Sequence, residues 1–106
     1  MESLSPETLQ RWLNEQLPLQ LIDVRWPEEH AQFNIGGPLI PYTDILDQAD
    51  GLPTDRPVVL YCEKGIRSVI AIQRLEQKFP HLQLYNLTGG MKAWRETFPV
   101  DPSGVD

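Results

Sequence analysis

P-V-V-L-Y-C-E-K-G-I-R-S-V-I-A-I-Q-R-L, residues 57–75, carries three signals in succession. Val58 to Tyr61 is a continuous apolar run, the pattern of a strand buried on both faces. The only cysteine, Cys62, follows at once, in a short loop of Glu63, Lys64, Gly65, Ile66 and Arg67. Ile66, Val69, Ile70, Gln73 and Arg74 then recur at helical spacing. Cys62 is therefore expected at the end of a strand and in front of a helix N-terminus, which is where open α/β sheets bind ligands.

The loop has the composition of a reactive site. A thiolate is the reactive form of cysteine, and a helix N-terminus and nearby cations favour it. Lys64 and Arg67 supply the cations, while Gly65 lets the backbone curl so that several N–H groups face one anion. Glu63 opposes this and is expected to point to solvent. A lone cysteine is otherwise a small buried hydrophobe. Gly65, Lys64 and Arg67 within the next five residues favour a reactive, anion-binding loop instead.

C-E-K-G-I-R-S resembles the active-site loop of the rhodanese-like sulfurtransferases, roughly Cys-x-x-Gly-x-Arg/Ser followed by Ser or a small residue. L-I-D-V-R at 21–25, P-E-E-H at 27–30, N-I-G-G-P-L-I-P at 34–41 and N-L-T-G-G-M-K-A-W at 86–94 also resemble that family, in its order and at its spacing. N-I-G-G-x-L-I-P, with V-D-P-S at 100–103, most resembles the rhodanese domain of molybdopterin-synthase adenylyltransferase/sulfurtransferases. The resemblance implies an α/β fold with about five mostly parallel strands and helices on both faces. It also implies sulfur transfer through a Cys62 persulfide, with Glu63, Lys64, Gly65, Ile66, Arg67 and Ser68 as the loop that binds substrate or anion.

Composition sets the outer limits. A chain of 106 residues is one domain, and an apolar content of 41% suits a soluble globule. No apolar run is long enough to span a bilayer. M-E-S-L-S-P-E has no positive region followed by an apolar core, so no secretory signal is expected. A single cysteine allows no internal disulfide, which suits a reducing cytoplasm. The formal charge of −6 weighs against nucleic-acid or anionic-membrane partners. No cluster has metal-ligand spacing, and sulfur transfer needs neither metal nor organic cofactor. The expected partners are a sulfur donor (thiosulfate or a protein persulfide) and an acceptor (a thiol, cyanide or a sulfur-carrier protein). The chain is expected to act as a monomer.

Along the chain, Glu2 to Leu4 suits a short edge strand. Ser5 reads as the N-cap of a helix with Pro6 at its first position, Leu9, Trp12 and Leu13 as its apolar face, and Pro18 as its stop. Leu19 to Val24 reads as a buried strand ending at Asp23 and Arg25. Two readings stand for these residues: they pair and one braces the Cys62 loop or helps bind the anion, or they form an ion pair that only closes the strand.

Trp26 to His30 starts a helix, with Pro27 in its first turn. His30 is either a general base or a structural, solvated histidine. Some thiosulfate sulfurtransferases have a substrate-contacting arginine a few residues after the Asp–Arg pair. Glu28-Glu29-His30 stands there instead, which weighs against efficient thiosulfate use.

Asn34 to Pro38 is a turn, Leu39-Ile40 a short strand, Thr43 to Leu46 a short helix, and Gln48 to Arg56 a polar loop. The central helix runs to about Phe79, before Pro80. Leu82 to Leu87 is the last strand. Thr88-Gly89-Gly90 turns into a helix of Met91, Ala93 and Trp94, and its paired glycines could let backbone approach the Cys62 loop. The tail from Val100 to Asp106 is expected to be mobile.

Two other functions compete. A cysteine phosphatase or arsenate reductase uses the same thiolate on a loop, but residues 63–66 make the Cys62–Arg67 interval one residue shorter than in those phosphatases. The narrower ring suits a single sulfur atom. A non-catalytic docking module typically loses the cysteine. A thiol redox or sulfur sensor remains compatible with an accessible thiolate, its resolving thiol coming from outside.

Overall fold

The computed structural model describes residues 1–99. The expected mobile tail and the V-D-P-S stretch lie outside the described residues. The strands are β1 (Glu2–Leu4), β2 (Gln20–Asp23), β3 (Pro57–Tyr61) and β4 (Gln83–Leu87). They form one sheet in the order β1-β4-β3-β2, and every pairing is parallel. β3 lies between β2 and β4, and Val58 to Tyr61 are fully buried, as the uninterrupted apolar run demands.

The pleat divides the core. Val58, Leu60 and Cys62 join Ile22, Val24 and Leu84 on one face, against helix α3 (Arg67–Lys78) and a 3-10 helix (Ile45–Gly51). Val59 and Tyr61 join Leu4, Leu21 and Leu87 on the other, against α1 (Pro6–Asn14) and α4 (Gly90–Thr97). Helices thus cover both faces, and Cys62 is the last β3-side residue turned toward α3. Among the described residues no helix is long and apolar enough to cross a membrane.

The α1 start is as expected: the Ser5 side chain accepts from the Thr8 N–H at 3.1 Å, and Pro6 is the first helical residue. The helix stops at Asn14, earlier than Pro18 requires, and Gln16 takes a left-handed φ of +56° in the exit turn. A second helix, α2 (Pro27–Gln32), follows β2.

Three expectations need correction. Among the described residues the sheet has four strands, where about five were expected. Leu39 makes only an isolated parallel bridge to Asp23. The segment still runs along β2, because Asp23 N–H donates to Pro38 O, and Ile40 and Tyr42 N–H donate to Asp23 O and Val24 O. Pro38 and Pro41 have no N–H to extend the ladder.

The 3-10 helix occupies the first half of the expected polar loop, with Ile45 and Ala49 buried toward α3. The buried face of α3 is Ser68, Ala71, Ile72 and Leu75, not the set begun at Ile66. That set would have buried Gln73 and Arg74, which are exposed. Ser68 can face inward because its hydroxyl has partners there.

Candidate active site

The Cys62 side chain leaves β3 toward the first turn of α3, and no side chain caps that helix. The sulfur takes the place of a cap. Cys62 Sγ accepts from the Ser68 N–H at 3.3 Å and from the Gly65 N–H at 3.0 Å, and lies 3.2 Å from Ser68 Oγ. The Ser68 N–H is a donor that the helix start leaves without an intrahelical acceptor, and the Gly65 N–H comes from the loop just before the N-cap. Gly65 reaches this position with φ +84°, a conformation that favours glycine. Cys62 itself is only 1% exposed. Beside it opens a cavity of about 280 Å³ lined by Cys62, Glu63, Lys64, Ile66 and Arg67.

Behind the loop, the first turn of α4 holds it in place. Met91 N–H donates to Cys62 O and Lys92 N–H to Glu63 O, at 2.8 and 2.9 Å. Gly90 permits this approach: a Cβ there would lie 2.3 Å from Cys62 O, and its φ is +61°. The close approach expected from the paired glycines is present.

Asp23 and Arg25 pair as expected and form the buried neighbour of the loop. Arg25 donates from Nε and a terminal nitrogen to the two Asp23 oxygens, each at 2.9 Å, and from the same terminal nitrogen to Phe33 O. Its other terminal nitrogen lies 3.4 Å from Glu63 Oε1. Burial works against the Arg25 charge, but the hydrogen bond and charge of Asp23 outweigh it and hold its pKa above the ordinary value.

His30 Nδ1 lies 2.9 Å from Asp23 Oδ2, so the histidine belongs to this buried pair and does not stand free as a base. Glu63 does not point to solvent. It joins Arg25 to Arg95, whose guanidinium also bonds its carboxylate. The expectation failed because both partners lie far along the chain from Glu63.

The two loop cations differ. Arg67 turns toward α2 and donates from both terminal nitrogens to the two oxygens of Glu29, each at 2.8 Å. Arg67 holds the Glu29 carboxyl down at about 2, aided by the Trp26 N–H and opposed by burial. Glu29 in turn pushes the Arg67 pKa up. Lys64 is exposed and has no ion pair among the described residues. Ile66 is 63% exposed at the cavity rim.

Sequence reasoning missed three residues here. Asn86, on β4, accepts the Ser68 hydroxyl proton through Oδ1. A hydroxyl that donates to Asn86 can only accept from the Cys62 thiol. The available signal was a polar residue inside an otherwise apolar strand end. Glu29 and Arg95 were missed as the partners of Arg67 and Glu63.

The rhodanese-like domain profile matches residues 5–97. A sulfurtransferase from Allochromatium vinosum is 34% identical over 94% of this chain and 94% of its own. The probable adenylyltransferase/sulfurtransferase MoeZ of Mycobacterium tuberculosis is 33% identical over 93% of this chain, which spans about a quarter (26%) of the MoeZ length.

A rhodanese-like domain protein from Staphylococcus aureus superposes with a TM-score of 0.79 at 32% identity, covering 89% of this chain and 91% of that one. Thiosulfate sulfurtransferase from Pseudomonas aeruginosa shares the fold (TM-score 0.83, 22% identity, 92% of this chain and 19% of that one). The profile and the full-length likeness to a sulfurtransferase show that the chain belongs to the rhodanese-like domain family.

Proposed function

We propose that the protein is a sulfurtransferase that carries sulfane sulfur as a persulfide on Cys62. One observation carries the reading. The Cys62 sulfur is the acceptor at the start of α3, held by the Gly65 and Ser68 N–H groups beside a cavity large enough for added sulfur. Preorganised neutral donors of this kind stabilise negative sulfur without reorganising during the reaction.

With thiosulfate, the Cys62 thiolate attacks the outer sulfur. A Cys62 S–S bond forms, the donor S–S bond breaks, and sulfite leaves with the electron pair. A protein or low-molecular-weight persulfide reacts the same way and leaves as a thiolate. The terminal sulfur, now negative, occupies the cavity. A nucleophilic acceptor (cyanide in vitro, a thiol, or a sulfur-carrier protein) then takes it and releases the Cys62 thiolate. Asp23 and Arg25 act as a brace under the loop through Glu63. With one cysteine in the chain, the acceptor comes from outside, which suits a reducing cytoplasm.

The test is intact mass after incubation with thiosulfate or glutathione persulfide, then again after cyanide. A gain of one sulfur, about 32 Da, lost on adding cyanide and absent in Cys62→Ser, is the expected result. The substitution is nearly isosteric and is expected to leave the fold intact. A gain that persists in Cys62→Ser, or no gain from either donor, overturns the reading.

A further inference from the structure

Arg67 has the residue type and loop position expected of an anion receptor, yet both ends of its guanidinium fork are held by Glu29. Fork-to-fork pairing of this kind is directional as well as strong, and it leaves the pair without net charge. The pair is only partly exposed, at 23% and 29% of the two side chains, so solvent screens it incompletely. Glu63, also on the loop, is matched by Arg25 and Arg95. The cavity beside Cys62 therefore meets its ligand with loop N–H groups and one cation without a carboxylate partner among the described residues, Lys64.

Free thiosulfate is a dianion whose whole charge must enter beside Cys62. A persulfide on a thiol presents one charge at the reacting sulfur, and its remainder stays outside the cavity. A rim with Arg67 already neutralised accepts the second donor more readily than the first.

We propose that Glu29 is a specificity-determining residue. By holding Arg67, it disfavours small dianionic sulfur donors and leaves thiol-borne persulfides as the preferred class. This rests on the Cys62 persulfide reading above.

The experiment compares thiosulfate with glutathione persulfide as donors to the full chain, with cyanide as acceptor. Glu29→Gln frees the guanidinium and is expected to lower the thiosulfate KM by about fivefold, while the glutathione persulfide KM changes by less than about twofold. Glu29→Asp keeps the charge but shortens the reach, and is expected to fall between wild type and Glu29→Gln. It also serves if the amide variant folds poorly.

Glu28→Gln removes the same charge from an exposed neighbour and is expected to change neither KM. In Glu29→Gln/Arg67→Ala the thiosulfate gain is expected to vanish. A thiosulfate KM that stays level or rises in both Glu29 variants, an equal gain in Glu28→Gln, or a gain that survives loss of Arg67 overturns the proposal. Sulfur uptake by the wild type, read as intact mass, is independent of these comparisons. Failure to load from either donor overturns the Cys62 reading and this proposal with it, whereas loading without the Glu29 effect overturns this proposal alone.

Discussion

β2 and β3 are hydrogen-bonded neighbours that end at the same edge of the sheet, and they end differently. β2 ends in charge: Asp23, Arg25 and His30, joined through Glu63 to Arg95. β3 ends in Cys62, whose sulfur meets backbone N–H groups and a hydroxyl but, among the described residues, no ionised hydrogen-bond partner. At one end charges are compensated and buried, which is a structural task. At the other, a sulfur acceptor is held by two backbone N–H donors, which is a chemical one. The edge keeps its ions occupied with each other and leaves the sulfur to dipoles.

The largest expected effect breaks the charged end. Arg25 is 2% exposed and Asp23 fully buried, so Arg25→Ala leaves a carboxylate in the interior without two of its four hydrogen-bond partners, the backbone N–H of residue 25 and His30 remaining. Removing one partner of a buried pair costs about 3–5 kcal/mol. Urea unfolding of the variant is expected to show that loss. Arg25→Lys recovers little of it, because one ammonium cannot span both Asp23 oxygens and Phe33 O.

Next comes the chemical end. Gly90→Ala places a Cβ against Cys62 O and Glu63 and strains a positive φ. A loss of about 2–3 kcal/mol is expected. The Cys62 loop must also move from the Met91 and Lys92 N–H groups, so sulfur loading followed by mass is expected to slow even where the variant is folded.

A smaller effect separates the two ends by pH. Glu29 titrates at about 2 in the folded protein, below its ordinary 4.5. A depressed carboxyl stabilises the fold fully above its unfolded value. That contribution is lost as pH falls from about 4.5 toward 2. With Glu29 and Arg67 partly exposed, screening leaves about 1–2 kcal/mol. The stability gap between wild type and Glu29→Gln is expected to be constant above pH 5 and to close through that acid window, measured by urea unfolding at each pH. A gap unchanged at pH 3 would assign the loss to packing and not to charge.

How much of this was legible in the sequence depends on how local each contact is. The buried strand at 58–61, the Ser5 cap and the position of Cys62 before a helix depend on neighbouring residues, and those readings agree with the structure. The phase of α3 was not legible, because Ser68 counts as polar until Cys62 and Asn86 are seen to satisfy its hydroxyl. Glu29 meets Arg67 across 38 positions, Arg95 meets Glu63 across 32, and Asn86 meets Ser68 across 18. Such contacts are set by the order of strands in the sheet, and no local pattern marks them. Asp23 and Arg25, two positions apart at a strand end, were legible as a pair; their burial came from elements on either side.

The smallest effect on stability should come from Lys64. Its side chain is exposed, borders the Cys62 cavity, and has no carboxylate partner among the described residues. Lys64→Ala is therefore expected to change unfolding stability by less than about 0.5 kcal/mol. If neutral N–H groups alone attract the donor, thiosulfate loading is unaffected as well. If Lys64 adds the only uncompensated charge at the rim, loading slows severalfold at low ionic strength. The difference from wild type then shrinks in about 0.5 M salt, where the screening length falls to a few ångströms. Loading rates at the two salt concentrations divide the anion's attraction between dipole and cation. A deficit that salt does not change would mean that Lys64 acts by shape and not by charge.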